Sequence, residues 1–439
     1  MRARPFLVLL LALVATAPLA VAREKSACEK DVDFALEALE EKCGRFFDLK
    51  DIDWTKVAKT FRKEAKKVDT PGEHYPLLVR LTARVKDGHA GERKIGEGEA
   101  IEWPDPVPQR MAGPGLFLCR VGKKVYVKTA FSTAEEVGIA PGWEVLKIED
   151  RKALDWLEQR IEERRDTIGF STDHHAFADV CTWGLAKGRG ERLELELRDL
   201  KRKKRKRTIT YDKATCRPWG PLNPPVGYQG DREIRYGKTP GGFGHIHLRK
   251  CPKNLPQRVD EALAAIGDVD GLILDLRANG GGGYDHEALM GRFVPKGETL
   301  AFEKRYESAG PSPYGGPMVV IVDGQTLSAG ETTTAIFKED GRAYVIGECP
   351  TSGMSSSKTT IELPSGLFAL YVSIRSNMGR SNGGKGIEGI GIPPHEIVEY
   401  DPEDLAEGRD TLLLRAEALL AKYPRGKVPY DPRDFGWRR

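Results

Sequence analysis

The chain has no CxxC pair, no internal repeat and, beyond its first 22 residues, no apolar run of the ~20 residues that a spanning helix needs. Without CxxC the usual zinc spacing is missing, so no metal is expected. Charge of one sign is also missing. Of 439 residues 31% are charged, yet the formal net charge is only +4, which does not argue for nucleic acid. The one dense basic run, Lys201 to Arg207, lies between the alternating strand Leu193 to Leu197 and the strand-like Thr208 to Tyr211. It reads as a solvated hairpin tip, with contact to an anionic surface as the alternative. The seven cysteines are an odd number, so at least one is unpaired unless a partner chain supplies a mate. Cys28 and Cys43 flank a helical pattern whose ends lie on the order of 20 Å apart, which argues against a bridge between them.

What is present begins with MRARPFLVLLLALVATAPLAVA: Arg2 and Arg4, an apolar core, then small residues at Ala20 to Ala22. This is the pattern of a secretory signal peptide over 1–22, with an uncleaved anchor as the alternative. The expected location is therefore outside the cytoplasm, periplasmic or extracellular. Residues 23–101 form a helical unit: Val32, Leu36 and Leu39 share one face, Leu77, Leu78, Leu81 and Val85 another, and Pro71-Gly72 interrupts the run. Gly88 is expected to stop the last helix, leaving His89 on a loop.

Residues 102–215 are β-rich. "VYVKTAFSTAEEVGIAPGWEVLKIED" gives a strand, a short helix over 134–137, a Gly-Ile-Ala-Pro-Gly turn and a second strand. It resembles a PDZ domain, with Trp143 in place of the usual aspartate and an insertion over 153–190. Such domains bind extended peptides or C-termini by strand addition; the alternative is a fold that only packs against its neighbours. His174 and His175, in the insertion, are expected at the surface.

In residues 216–439 apolar strands alternate with helices, and continuous runs such as Leu272-Ile273-Leu274 imply a sheet covered on both faces, hence α/β. The helix "DLAEGRDTLLLRAEALLAKY" is expected to cross it. Gly280 to Gly283 lets backbone amides approach an anion closely. No Lys-Ser/Thr follows those glycines, so an oxyanion is favoured over a phosphate. Ser328 with Glu331 fits a helix capping box, and the same serine fits a nucleophile if a base and amide donors converge on it. Asp275 with Arg277 reads as a structural pair. His245 and His247 share a strand face but lack a third metal ligand.

"GFGHIHLRK", "LILDLRANGGG", "VDGQTLSAGE", "VIGECPTSGM" and "GIEGIGIPPHEIV" stand in the order and spacing of the tail-specific, or C-terminal processing, proteases of the S41 serine peptidases, which the chain resembles over nearly its whole mature length. The resemblance implies a ClpP/crotonase-like catalytic domain, with Ser328 as nucleophile, the amides of Ala329 and Gly281 as oxyanion hole, polypeptides as substrate and no cofactor. Met354 stands where the processing branch has its lysine base, and Lys358 would need a register shift to replace it. The tricorn-like branch instead implies His89 as base and Glu388 as its support. That branch carries a serine just before the histidine, where this chain has Gly88. Three options follow: Glu388 acting through water, Asp87 taking its place, or a weakly oriented His89. Two other readings stand beside the peptidase: an inactive scaffold that binds peptides or hydrophobic ligands, and a crotonase-type enzyme acting on thioesters.

Overall fold

The computed structural model describes residues 23–95, 111–211, 227–296, 299–301, 305–339, 341–377, 379 and 381–422. The leader expected over 1–22, Cys216 and the two inner boundaries expected near 101 and 215 lie outside the described residues.

Three helices open the described chain. Ala27–Cys43 starts at a capping box made by Ser26 and Glu29, Trp54–Ala65 is capped by Asp53, and Pro71–Ala83 starts at a second capping box, Thr70 with Glu73. Pro71 therefore opens a helix, in the first turn where its missing N–H costs nothing. The apolar stripes meet in a core with Phe368, Leu370 and Val372 of the strand Phe368–Ser376. The short strand Gly91–Lys94 pairs antiparallel with that same strand. The helical unit is thus completed by the C-terminal part of the chain. Its last helix is capped at Arg84, and the left-handed residue beyond it is Lys86 (φ 49°), not Gly88.

The β-rich unit orders its main strands Leu116–Val121, Lys124–Ala130, Glu144–Ile148, Arg192–Arg198 and Lys204–Thr210. Helix Ala153–Arg165 buries Ala153, Leu157 and Ile161 on this sheet and so belongs to its core. The basic run does not stop at the hairpin tip. It continues into Lys204–Thr210, where Lys204 pairs with Glu196 (3.1 Å) and Arg205 with Asp199 (2.8 Å).

Helix Asp173–Val180 buries Ala176 and Val180 in this unit's core and also docks on the next unit. Thr172 Oγ1 donates to the Ser352 carbonyl (2.9 Å), His174 Nε2 lies 2.7 Å from the Thr351 carbonyl, and Gln325 Nε2 donates to the Ala178 carbonyl (3.2 Å). His174 and His175 are therefore interface residues and not surface ones, because their helix spans two units. The Cys181 carbonyl accepts the Leu118 N–H (3.0 Å) on the outer edge of the sheet.

The third unit is a seven-stranded sheet, ordered Gln229–Gly230, Ile234–Lys238, Gly244–Leu248, Leu272–Asp275, Met318–Val322, Tyr344–Gly347 and Glu396–Ile397; it is parallel from Gly244–Leu248 onward. Side chains alternate between its faces. Leu272, Leu274, Val320 and Val322 pack on helices Leu255–Ile266 and Ala329–Glu339, whereas Ile273, Val319 and Ile321 pack on Thr411–Leu420. The single terminal helix expected from periodicity is two, Pro402–Ala406 and Thr411–Leu420. Gly408 (φ 70°) breaks the first and Asp410 caps the second. Asp410 also joins Asp275 around the buried Arg277 guanidinium, tying this helix to the strand end.

Candidate active site

Strand Met318–Val322 runs into a turn and then into helix Ala329–Glu339, with Ser328 at the junction. The turn is held by the Asp323 carboxylate, which accepts the Ala278 and Gln325 amides at 3.0 Å each, and by the Leu327 N–H on the Asn279 carbonyl (2.8 Å). Ser328 itself is left-handed (φ 54°), a conformation that costs a non-glycine residue on the order of 1–3 kcal/mol and persists only where its surroundings enforce it. A strained serine between a strand and a helix presents its hydroxyl outward from the sheet end.

The capping box is only half built. Glu331 Oε2 accepts the Ser328 N–H (3.1 Å), but Ser328 Oγ makes no hydrogen bond among the described residues. The cap is thus supplied by Glu331 and the hydroxyl is spared. Glu331 is fully buried and also takes the Gly353 N–H (2.7 Å), the Met354 N–H (3.0 Å) and Thr351 Oγ1 (2.7 Å). Burial pushes its carboxyl up to about 7 against these donors.

Ala329 is the first helical residue, so its N–H has no partner within the helix. Gly281 (φ 72°) packs directly against it: a Cβ there would lie 2.7 Å from Ser328 Cβ, 3.1 Å from Ser328 Oγ and 3.1 Å from the Ala329 nitrogen. The Gly281 N–H, expected as the second oxyanion donor, is given instead to Asn279 Oδ1 (2.9 Å), which caps the turn. What Gly281 brings to Ser328 in this structure is space.

His89 stands on the loop after Pro71–Ala83, its N–H bonded to Asp87 Oδ1 (2.8 Å). One side-chain ligand atom each from Asp87, His89 and Glu388 lie within 4.8 Å of one another, so the two residues expected to cooperate do meet. Asp87 Oδ2, His89 Nδ1 and Glu388 Oε2 are buried without hydrogen-bond partners among the described residues. Burial and the Lys358 charge push His89 down to about 4, opposed by Asp87. Burial and the neighbouring Asp87 push Glu388 up to about 8, opposed by Lys50, whose Nζ is 2.8 Å from Glu388 Oε1. The Asp87, His89 and Glu388 cluster has donors for a cation, but the buried Lys50 ammonium already supplies the positive charge there. No hydrogen bond joins His89 to Ser328 among the described residues.

Lys358 lies at a β-bulge between Ser357 and Lys358, the register shift its approach to the site requires. Burial holds its amine below the usual lysine range, and it faces Asp87, Glu388 and Glu331. Met354 is buried, and its Sδ lies where a Cβ on Gly88 would come within 2.7 Å. The two departures from the expected pattern, at 88 and at 354, are therefore one packing event.

Nothing in the sequence singles out Lys50 or Ser171, although both touch Glu388 Oε1, the latter at 3.4 Å. Glu331 is legible in the sequence only as a cap; its full burial appears in the structure alone. A cavity of about 780 Å³ opens elsewhere, between the strand Leu116–Val121, helix Asp173–Val180 and the third unit at Asp323 and Glu348. Neither Ser328 nor His89 lines it.

Residues 242–398 match the model of Peptidase family S41. A carboxy-terminal-processing protease of Bartonella bacilliformis is 28% identical over 234 residues, covering 46% of this chain and 51% of that one. A carboxyl-terminal-processing protease of Picosynechococcus sp. is 26% identical over 168 residues, 36% of this chain and 40% of that one. The chain thus spans about half, or less, of the length of these curated relatives. Among solved structures, mature CPAF shares the fold with a TM-score of 0.65 at 12% identity, over 90% of this chain and 98% of that chain.

Proposed function

Residues 242–398 belong to peptidase family S41, and from that premise we propose that the protein is an exported serine endopeptidase acting on polypeptides, with Ser328 as nucleophile and His89 as base. In this reading Ser328 Oγ attacks the scissile carbonyl carbon as its proton passes to His89. The Ala329 N–H takes the developing oxyanion in the space left by Gly281. The C–N bond then breaks, His89 returns the proton to the leaving amine, and water, deprotonated by His89, hydrolyses the ester. Glu388 supports the imidazole as the third group of a triad does. A leader over 1–22, a helical cap over 23–101, a PDZ-like unit over 102–215 and a catalytic unit over 216–439 complete the proposed organisation. The PDZ-like unit would receive extended polypeptide at the strand Leu116–Val121 only after the Cys181 carbonyl leaves the Leu118 N–H.

The observation that carries this reading is the convergence of Asp87, His89 and Glu388 within 4.8 Å, although His89 and Glu388 stand 299 positions apart in the sequence (388 − 89). An inactive scaffold that binds peptides or hydrophobic ligands is the second reading, favoured by the absence of a His89–Ser328 hydrogen bond among the described residues. Incubation of fluorescein-labelled casein with wild type and Ser328→Ala separates the two. Cleavage by the wild type alone supports the peptidase, and no cleavage by either, with retained binding of the casein, supports the scaffold.

A further inference from the structure

Ser171 is buried in the insertion of the β-rich unit, far in sequence from both groups it contacts. The Gly88 N–H donates to its Oγ (3.1 Å), and that Oγ donates to Glu388 Oε1 (3.4 Å), which Lys50 Nζ holds from the other side. The first two bonds run in one direction, from the backbone beside His89 through the hydroxyl to the carboxylate, where the Lys50 bond meets them from the other side. The insertion backbone is seated flush on the same loop: a Cβ on Gly169 would lie 2.8 Å from the Asp87 carbonyl oxygen. On the other flank Met354 Sδ fills the space a side chain at 88 would need.

We infer that Ser171 is a positioning residue, the hydroxyl that ties the His89 loop to Glu388 in a site where Met354 Sδ crowds position 88. The inference rests on His89 being the base. It makes the β-rich unit a structural part of the active site, since Thr172 and His174 fasten the same segment to the loop over 351–352. A hydroxyl in this place orients; it does not touch the reacting atoms, so its loss should slow chemistry without weakening binding.

The test uses the full chain and a fluorophosphonate, whose phosphorus is attacked by Ser328 Oγ with loss of fluoride, followed by intact mass. Ser171→Ala should lower the maximal labelling rate about 10- to 100-fold, the range for leaving buried hydrogen-bonding groups unpaired, with unchanged half-saturation and unchanged circular dichroism. Ser171→Thr should recover at least half of the logarithmic loss. If Ser171→Ala does not fold, Ser171→Cys, which keeps the shape with a weaker donor, takes its place with the same expected split. A wild-type rate in the folded alanine or cysteine variant, while His89→Ala is inert, overturns this inference alone. A wild-type rate in His89→Ala overturns the reading of the base and this inference with it.

Discussion

Glu331 Oε2 accepts the Ser328 N–H at 3.1 Å and the Met354 N–H at 3.0 Å, so one carboxylate oxygen fixes the strained serine to the loop that packs on Gly88. Replacing Glu331 by alanine leaves three buried amides and the Thr351 hydroxyl without their acceptor. The expected cost is at least about 2 kcal/mol, read as a lower urea midpoint at unchanged slope, because each buried unpaired group costs ~1–3 kcal/mol. Activity should fall further than stability, since the φ of Ser328 is then no longer enforced.

A base must be neutral to accept a proton. Burial and Lys358 hold His89 down at about 4, so labelling of Ser328 should persist through pH 5 to 6 and fall only as pH drops through about 4. Lys358→Met removes a cation that favours the neutral ring. The acid limb should then move up toward the ordinary histidine value of about 6.5. A limb that stays in place would show that Lys358 does not face His89.

Gly281→Ala puts a methyl group 3.1 Å from the Ala329 nitrogen and strains a φ of 72°. Access to one oxyanion donor is closed, and loss of one such donor typically costs ~10²- to 10³-fold in rate. The fold should survive at a cost of about 1–2 kcal/mol for the strained position. Rates of casein cleavage beside a thermal melt separate the two effects.

Gly88→Ser alone should destabilise by about 1–3 kcal/mol through overpacking against Met354 Sδ. Combined with Met354→Ala the loss should shrink, with a coupling of at least about 0.5 kcal/mol in a double-mutant cycle. Additive losses would mean that the two positions are independent.

The layered part of this architecture is legible in the sequence because it rests on local periodicity. Leu272 to Leu274 and Met318 to Val322 declare a sheet buried on both faces, and the glycines at 280–283 declare a close approach to backbone. Ser328 could be placed, but not how its cap is divided: a capping box reads the same whether hydroxyl, carboxylate or both make the bonds. Ser171 and Lys50 meet Glu388 across 217 and 338 residues, and no local pattern encodes such a meeting. His174 and His175 read as surface residues because polar pairs usually are; their helix is buried by a second unit the segment itself does not reveal. Gly88 reads as a helix stop, whereas its cause is the sulfur of a residue 266 positions away.

The most direct measurement is the rate at which a fluorophosphonate labels wild type and His89→Ala at pH 7, with the modified residue located by peptide mass mapping. The expected result is one label per chain, on Ser328, and a rate at least about 10²-fold lower in the variant, the lower end of what a general base supplies. Label on any other residue, or equal rates in the two proteins, would contradict the assignment of Ser328 and His89.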